Sequence, residues 1–138
     1  MTIDPNSIQH APPFGTFSPT PFQAWARGIA NSAKTRNLIG KQRVSAFYRL
    51  AGGKKPGAIY DVEVFVTEKA RLHPTDNVCE HRVFSAPQFW DPEERKLLND
   101  HIAEHGASGN NRPFVFLDVG ANVGLYSLSA HAGARKKS

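Results

Sequence analysis

Residues 114 to 128 read Phe-Val-Phe-Leu-Asp-Val-Gly-Ala-Asn-Val-Gly-Leu-Tyr-Ser-Leu, and this stretch decides the expected fold. The apolar run over residues 114–117 is too short for a helix and is rich in strand formers. It predicts a strand buried on both faces of a parallel sheet. Gly120 and Gly124 lie in the turn that follows, and residues 123–131 predict a helix. A strand, a glycine turn and a helix form the first half of a nucleotide-binding βαβ unit.

The spacing within the turn narrows the choice of ligand. A dinucleotide-binding fold of the dehydrogenase type carries G-x-G-x-x-G after its strand, whereas this chain has Gly120-Ala-Asn122-Val-Gly124. A phosphate-binding P-loop ends in Gly-Lys-Ser or Gly-Lys-Thr, and no lysine is present here. Together with Asp118 the turn reads D-x-G-x-N-x-G.

This pattern resembles motif I of the S-adenosylmethionine-dependent methyltransferases. The longer string from Leu117 to Leu128 resembles the FkbM family of that superfamily in particular. Upstream, residues 71–80 and 89–94 are similar to the region that precedes motif I in bacterial members. The resemblance extends over residues 58–130. It implies an α/β, Rossmann-like class I methyltransferase that is incomplete here: an N-terminal helical and hairpin extension followed by the first strand-turn-helix.

The resemblance also implies a cofactor and a site. The cofactor is S-adenosylmethionine, and the cofactor-binding residues are Asp118, Gly120, Ala121, Asn122 and Gly124. Asp118 is expected near the amino group of the methionine part, and the glycines let the backbone run close to the cofactor without a Cβ clash. Methyl transfer from a sulfonium depends mainly on in-line positioning. The alternative is that Asp118 only caps the turn and the glycines only permit close helix–strand packing. No catalytic residue is assigned.

The position of the motif affects the expected activity. A methyltransferase sheet of this family has seven strands, and motif I belongs to the first. The acidic residue that holds the ribose hydroxyls, about 20 residues past the turn in such folds, would fall at or beyond Ser138. We therefore expect a truncated, inactive form, produced by a shortened or frameshifted reading frame or by a clipped chain.

Four segments are expected along the sequence. Residues 1–21 are predicted to be a flexible leader, and residues 22–57 a basic helical extension and linker. Residues 58–112 are expected to hold a hairpin and a helix that precede the core, and residues 113–138 the start of the methyltransferase core.

Local patterns predict individual elements within these segments. The expected elements are two helices between Pro21 and Leu50 with a break over residues 37–40, a turn from Gly52 to Gly57, strands over residues 59–66 and 70–73, a helix from Asp91 to His105 that stops at Gly106, and a last helix that stops at Gly133. Asp91-Pro-Glu-Glu94 predicts a capping box. Asn77, Glu80 and Arg82 form a polar cluster that either helps to close the cofactor site or serves loop hydrogen bonding.

Charge is distributed unevenly. Residues 1–57 hold eight Lys and Arg against one Asp, whereas residues 58–133 hold six against eleven acids. The basic stretch is interleaved with Trp25, Phe47 and Tyr48, a pattern that suits a nucleic acid or an anionic surface. The alternative function is therefore a non-catalytic basic interaction module. We favour an amphipathic helical region with a solvated basic face, and we expect no nucleic-acid partner.

Two further patterns, a possible zinc motif and a single cysteine, give weaker indications of function. His101-Ile-Ala-Glu104-His105 matches H-x-x-E-H, the inverted zinc-peptidase pattern, but zinc needs a third protein ligand and the only later acid is Asp118. We expect no metal. The single cysteine, Cys79, cannot form an internal disulfide and is expected to be an ordinary thiol.

The expected partner is a methyl acceptor: a sugar, a lipid-linked glycan or another small molecule, methylated on oxygen. No signal peptide is visible, and no apolar run approaches the ~18 residues of a membrane span. A cytoplasmic location is the expectation, and the oligomeric state is left open.

Overall fold

The computed structural model describes residues 11–109 and 111–135. Within them the chain forms five α-helices and one β-hairpin. The elements are α1 (Pro21–Asn31), α2 (Leu38–Leu50), β1 (Tyr60–Val64), β2 (Glu68–Leu72), α3 (Val78–Ser85), α4 (Pro92–Ala107) and α5 (Leu125–Arg135), with a 3-10 turn at Pro87–Phe89. No helix among the described residues is long and apolar enough to cross a membrane.

The two predicted N-terminal helices are confirmed. Thr20 begins α1 with a capping box, because its hydroxyl accepts from the amide of Gln23 while the Gln23 side chain accepts from the amide of Thr20. Asn37 caps α2 by accepting from the amide of Gly40. Asn37 therefore begins the second helix, and the break lies just before it rather than over residues 37–40.

The predicted hairpin is also confirmed, with a shorter first strand and a second strand that begins two residues earlier than expected. β1 and β2 run antiparallel with Tyr60 opposite Leu72 and Val64 opposite Glu68. The turn places Phe65 and Val66 in the left-handed region at φ 50° and 83°, which is costly for these side chains. The Phe65 ring is buried, with its centroid 5.6 Å from that of Trp90. This packing offsets the backbone strain.

The core lies between the hairpin and the first three helices. Phe84 of α3 is almost fully buried, and its ring stacks on Tyr60 at 5.1 Å and meets the edge of Tyr48 at 6.1 Å. The Arg27 guanidinium of α1 covers the ring at 5.3 Å. Sequence patterns did not predict α3, because its eight residues are too few to show a helical period.

Part of the predicted flexible leader is fixed to the hairpin. The Asp61 carboxylate of β1 accepts from the amides of Gly15 and Phe17 at 2.8 and 3.0 Å, and the Arg71 guanidinium donates to the carbonyl of Pro13. Residues 13–17 therefore pack against β1. The prediction missed this because the acceptor is a single side chain far along the sequence. Residues 1–10 lie outside the described residues.

The helix after Asp91 forms, but its predicted cap and end are wrong. Asp91 has a left-handed backbone, φ 40°, and its side chain makes no capping bond. Its carboxylate instead accepts from the Tyr126 hydroxyl at 2.8 Å. α4 continues through Gly106 to Ala107, and α5 continues through the predicted stop Gly133. An ideal Cβ on Gly133 would lie 2.1 Å from Oδ1 of Asn99, so this glycine permits close packing of α5 on α4.

The predicted strand at residues 114–117 does not form. This segment has no secondary structure and is solvent-exposed, and Val115 and Leu117 each keep 81% of their surface. No strand pairs with it among the described residues. A strand buried on both faces needs neighbours on each side to satisfy its amides and carbonyls. The described residues contain one two-stranded antiparallel sheet, and the Rossmann-like α/β core stays a prediction.

The buried Asp61 provides a test of how the hairpin is held. Asp61→Asn should destabilise the protein by about 2 kcal/mol at neutral pH, because it removes the charge that receives hydrogen bonds from Arg71, Gly15 and Phe17. Urea unfolding measures this loss. Asp76→Asn, at an exposed position, is the matched control and should change stability by less than about 0.5 kcal/mol.

The same variant should respond to pH in a defined direction. Hydrogen bonds from Arg71 lower the pKa of Asp61 from 3.8 to about 2. Because the folded-state pKa is depressed, the stability contribution is complete above about pH 4 and is lost as the pH falls towards 2. The difference between wild type and Asp61→Asn should therefore shrink in acid. A difference that stays constant from pH 7 to pH 2 contradicts this account.

Candidate functional site

The glycine turn, residues 118–124, has an unusual backbone. Gly120, Asn122 and Gly124 are all left-handed, with φ of 74°, 51° and 74°. Glycine adopts this region freely, and asparagine tolerates it better than most residues. The amide of Gly124 donates to the carbonyl of Ala121 at 2.7 Å, and α5 begins at the next residue. The turn thus leads directly into a helix N-terminus, where backbone amides favour acidic or polar ligands.

The space above the two glycines is open. A Cβ built on Gly120 or Gly124 would meet no heavy atom within 4 Å. The glycines therefore do not serve close packing between elements of the described residues. Such packing was one half of the alternative to a cofactor site. An exposed backbone without side chains is accessible to a ligand.

The other half of that alternative, in which Asp118 only caps the turn, holds in part. Its Oδ2 accepts from the Ser127 hydroxyl of α5 at 2.8 Å, so the carboxylate does hold the start of the helix. Its side chain is half-buried. Since the Ser127 bond uses one carboxylate oxygen, the second oxygen is available to a cationic group placed above the turn.

A second element contacts the turn from the opposite side. The Asn77 side chain donates from Nδ2 to Oδ1 of Asn122 at 3.1 Å. Its own Oδ1 caps α3 by accepting from the amides of Cys79 and Glu80. One side chain therefore joins the start of α3 to the middle of the glycine turn. The polar cluster suspected in the sequence includes this residue, although its partner could not be inferred.

The other members of that cluster lie apart from the turn. Glu80 is buried and accepts from the amide of His73 at 2.6 Å and from its ring at 3.2 Å, so it joins the end of β2 to α3. Arg82 is exposed. The thiol of Cys79 is half-buried and packs beside the core.

Tyr126 anchors α5 after the turn. Burial, reinforced by the hydrogen bond to Asp91, raises the pKa of the Tyr126 hydroxyl to about 12. Its ring centroid lies 4.8 Å from that of Trp90. Tyr126 is therefore a neutral donor that fixes the direction of the helix, a role that no sequence pattern indicated.

The H-x-x-E-H pattern does not assemble a metal site in the part of the chain that is described. His101 is exposed and lies 3.6 Å from the Glu104 carboxylate. Nε2 of His105 lies 2.7 Å from the carbonyl oxygen of Arg112. No group of three His, Cys, Asp or Glu side chains within residues 11–109 and 111–135 is placed to hold a metal ion.

Comparisons of the chain with protein-family models, with curated proteins and with solved structures found no match.

The contact between Asn77 and Asn122 can be separated from the cap of α3. Asn77→Ser keeps an oxygen for the α3 amides but is too short to reach Asn122, so the hydrogen-bonded amide of Gly124 should exchange several-fold faster while those of α3 keep their protection. Asn77→Ala should lose both contacts and cost about 1 kcal/mol. Hydrogen–deuterium exchange measures both effects. Unchanged exchange at Gly124 in Asn77→Ser contradicts the assigned contact.

Proposed function

We propose that the glycine turn is the cofactor site of an S-adenosylmethionine-dependent methyltransferase of the FkbM type. The reaction would move a methyl group from the cofactor to an oxygen of a sugar or another small molecule. The observation that carries the proposal is the run of three left-handed residues, Gly120, Asn122 and Gly124, beneath open space at the start of a helix.

Each residue of the turn has a role in this proposal. The free oxygen of Asp118 would accept from the ammonium of the methionine part. Gly120, Ala121 and Gly124 would let the backbone approach the methionine and ribose. The backbone of Asn122 would follow the same path while its side chain keeps the contact with α3. The bound cofactor supplies an electrophilic methyl carbon, and the protein positions it.

We further propose that the described residues do not complete a catalytic site. The segment before the turn exposes Val115 and Leu117 where the family's fold places a sheet. Among the described residues after Glu104, Asp118 is the only acid, and it lies in the turn itself. The expected behaviour is weak cofactor binding without turnover, in the cytoplasm.

Nuclear magnetic resonance titration with S-adenosylhomocysteine tests the proposal. Saturable shifts should concentrate at residues 118–124 and at Asn77. Asp118→Asn should weaken binding about tenfold, because it removes a charge-assisted hydrogen bond. Asp100→Asn is the control, since this exposed aspartate lies on α4 and pairs with Lys96. Shifts scattered over the surface, or equal loss in both variants, would overturn the cofactor assignment.

One observation favours the alternative of a basic interaction module. The ring centroids of Phe22 and Trp25 of α1 lie 5.6 Å apart, with the rings tilted by 33°, and more than half of each residue is exposed. Exposed aromatic rings provide platforms for nucleobases. Arg27 does not contribute to such a surface, because its guanidinium covers the Phe84 ring and donates to the carbonyls of Phe84 and Glu63. Burial there lowers its pKa to about 10, so it stays charged at neutral pH.

The two functions differ in their response to salt. A nucleic-acid binder should retain a single-stranded oligonucleotide on a filter at low salt and lose it steeply as salt rises. Trp25→Ala should then weaken binding by about tenfold, the loss of one stacked base. The methyltransferase proposal predicts no retention at physiological salt. Retention that depends on both Trp25 and salt would favour the alternative.

A further inference from the structure

A cavity of about 650 Å³ lies between α2, α3 and the start of α4. This volume is within the usual range for small-molecule sites. Three kinds of side chain line it: cations, aromatic rings and carboxylates. The cations are Arg36, Lys41, Lys54 and Arg82. We call Lys54 and Arg82 the cationic wall, Tyr48 and Phe89 the floor, and Asp91, Glu93 and Glu94 the rim.

The cationic wall has no internal counter-charge. Arg36, Lys41, Lys54 and Arg82 are all exposed, and none of them forms an ion pair with a described residue. Burial, followed by the charges of Lys54 and Arg82, lowers the pKa of the nearby His81. Lys54 and Arg82 come from separate parts of the chain, line the same cavity and both act on His81. Two cations placed in this way suit a phosphate group.

The aromatic rings of the floor are held in place by neighbouring groups. Tyr48 is buried, its hydroxyl donates to the carbonyl of Gly53, and its ring centroid lies 4.4 Å from that of His81. The Arg36 guanidinium carbon lies 6.0 Å from the centroid of the Phe89 ring. Rigid rings of this kind provide an apolar surface against which a ligand ring can lie.

The rim of the cavity is acidic. Glu93 and Glu94 lie in the first turn of α4, where carboxylates are also favoured by the helix dipole. Neither forms an ion pair with a described residue, so both can accept hydrogen bonds from hydroxyl groups. A polyanion such as a nucleic-acid strand would meet repulsion here. The rim therefore favours a small ligand with one anionic end and one hydroxylated end.

Two hydrogen bonds connect the cavity to the glycine turn. Asp91 lines the cavity and accepts from Tyr126, two residues after the turn. α3, which contributes His81 and Arg82 to the cavity, is joined through its cap Asn77 to Asn122. Helix α3 thus contacts both the cavity and the turn, and Asp91 joins the cavity to the helix that follows the turn.

We propose that this cavity binds a phosphorylated sugar or polyol, with its phosphate on the cationic wall and its hydroxyl groups towards Glu93 and Glu94. Its role as the methyl-acceptor site rests on the proposed function, whereas the binding of the phosphate ester does not.

Calorimetric titration of the full chain with glucose 6-phosphate tests the site. Arg82→Gln should weaken binding about tenfold, because it removes a charge-assisted hydrogen bond to phosphate. Arg49→Gln is the matched control, since Arg49 is exposed on α2 but does not line the cavity. Glucose should bind at least about tenfold more weakly than its phosphate, for the same reason. Glu94→Gln should reduce the preference for glucose 6-phosphate over inorganic phosphate.

The outcomes separate this inference from the proposed function. Absence of glucose 6-phosphate binding, equal loss in Arg82→Gln and Arg49→Gln, or equal affinity for inorganic phosphate would overturn the cavity assignment. S-adenosylhomocysteine is titrated into the same samples. If it binds while glucose 6-phosphate does not, only the cavity assignment falls. If glucose 6-phosphate binds selectively while S-adenosylhomocysteine does not, the cavity assignment holds and its acceptor role falls.

Discussion

The burial of the Phe84 ring is the constraint on which the described structure depends. It lies against Tyr60 of the hairpin and Tyr48 of α2, beneath the Arg27 guanidinium of α1. The Nε of Arg27 also donates to the carbonyl of Phe84. Four elements therefore meet at one side chain. Since proteins pack at high density, a shift of α3 would disturb all of them, and α3 is the helix that contacts both the glycine turn and the cavity.

This core is completed without the segment that precedes the turn. Leu125 and Ala132 of α5 reach the core cluster, while residues 114–117 lie exposed to solvent without secondary structure. The glycine turn is consequently held by the start of α5 and by the Asn77 cap of α3. A ligand that binds the turn would meet a preformed backbone.

Local sequence signals predicted the local elements, and signals that depend on distant partners were misleading. The helical spacing after Pro21 and the alternation after Ile59 predicted a helix and a strand, because both patterns depend on neighbours in sequence. The run over residues 114–117 has the composition of a buried strand, but a strand needs a partner that composition cannot specify. The sequence around Asp91 is typical of a helix cap. Its carboxylate instead accepts a hydrogen bond from the Tyr126 hydroxyl, 35 residues away. The turn itself was predicted from its glycines. Its contact with Asn77 could not be predicted from the sequence.

The most direct test of the central claim is photochemical labelling with S-adenosylmethionine carrying a tritiated methyl group. Ultraviolet irradiation, trypsin digestion and mass spectrometry locate the labelled residue. Because trypsin does not cleave between Arg112 and Pro113, the turn lies in the peptide of residues 97–135. If the glycine turn binds the cofactor, label should appear within residues 118–124, and excess S-adenosylhomocysteine should prevent it. Label in another peptide, or label that the competitor does not remove, would contradict it.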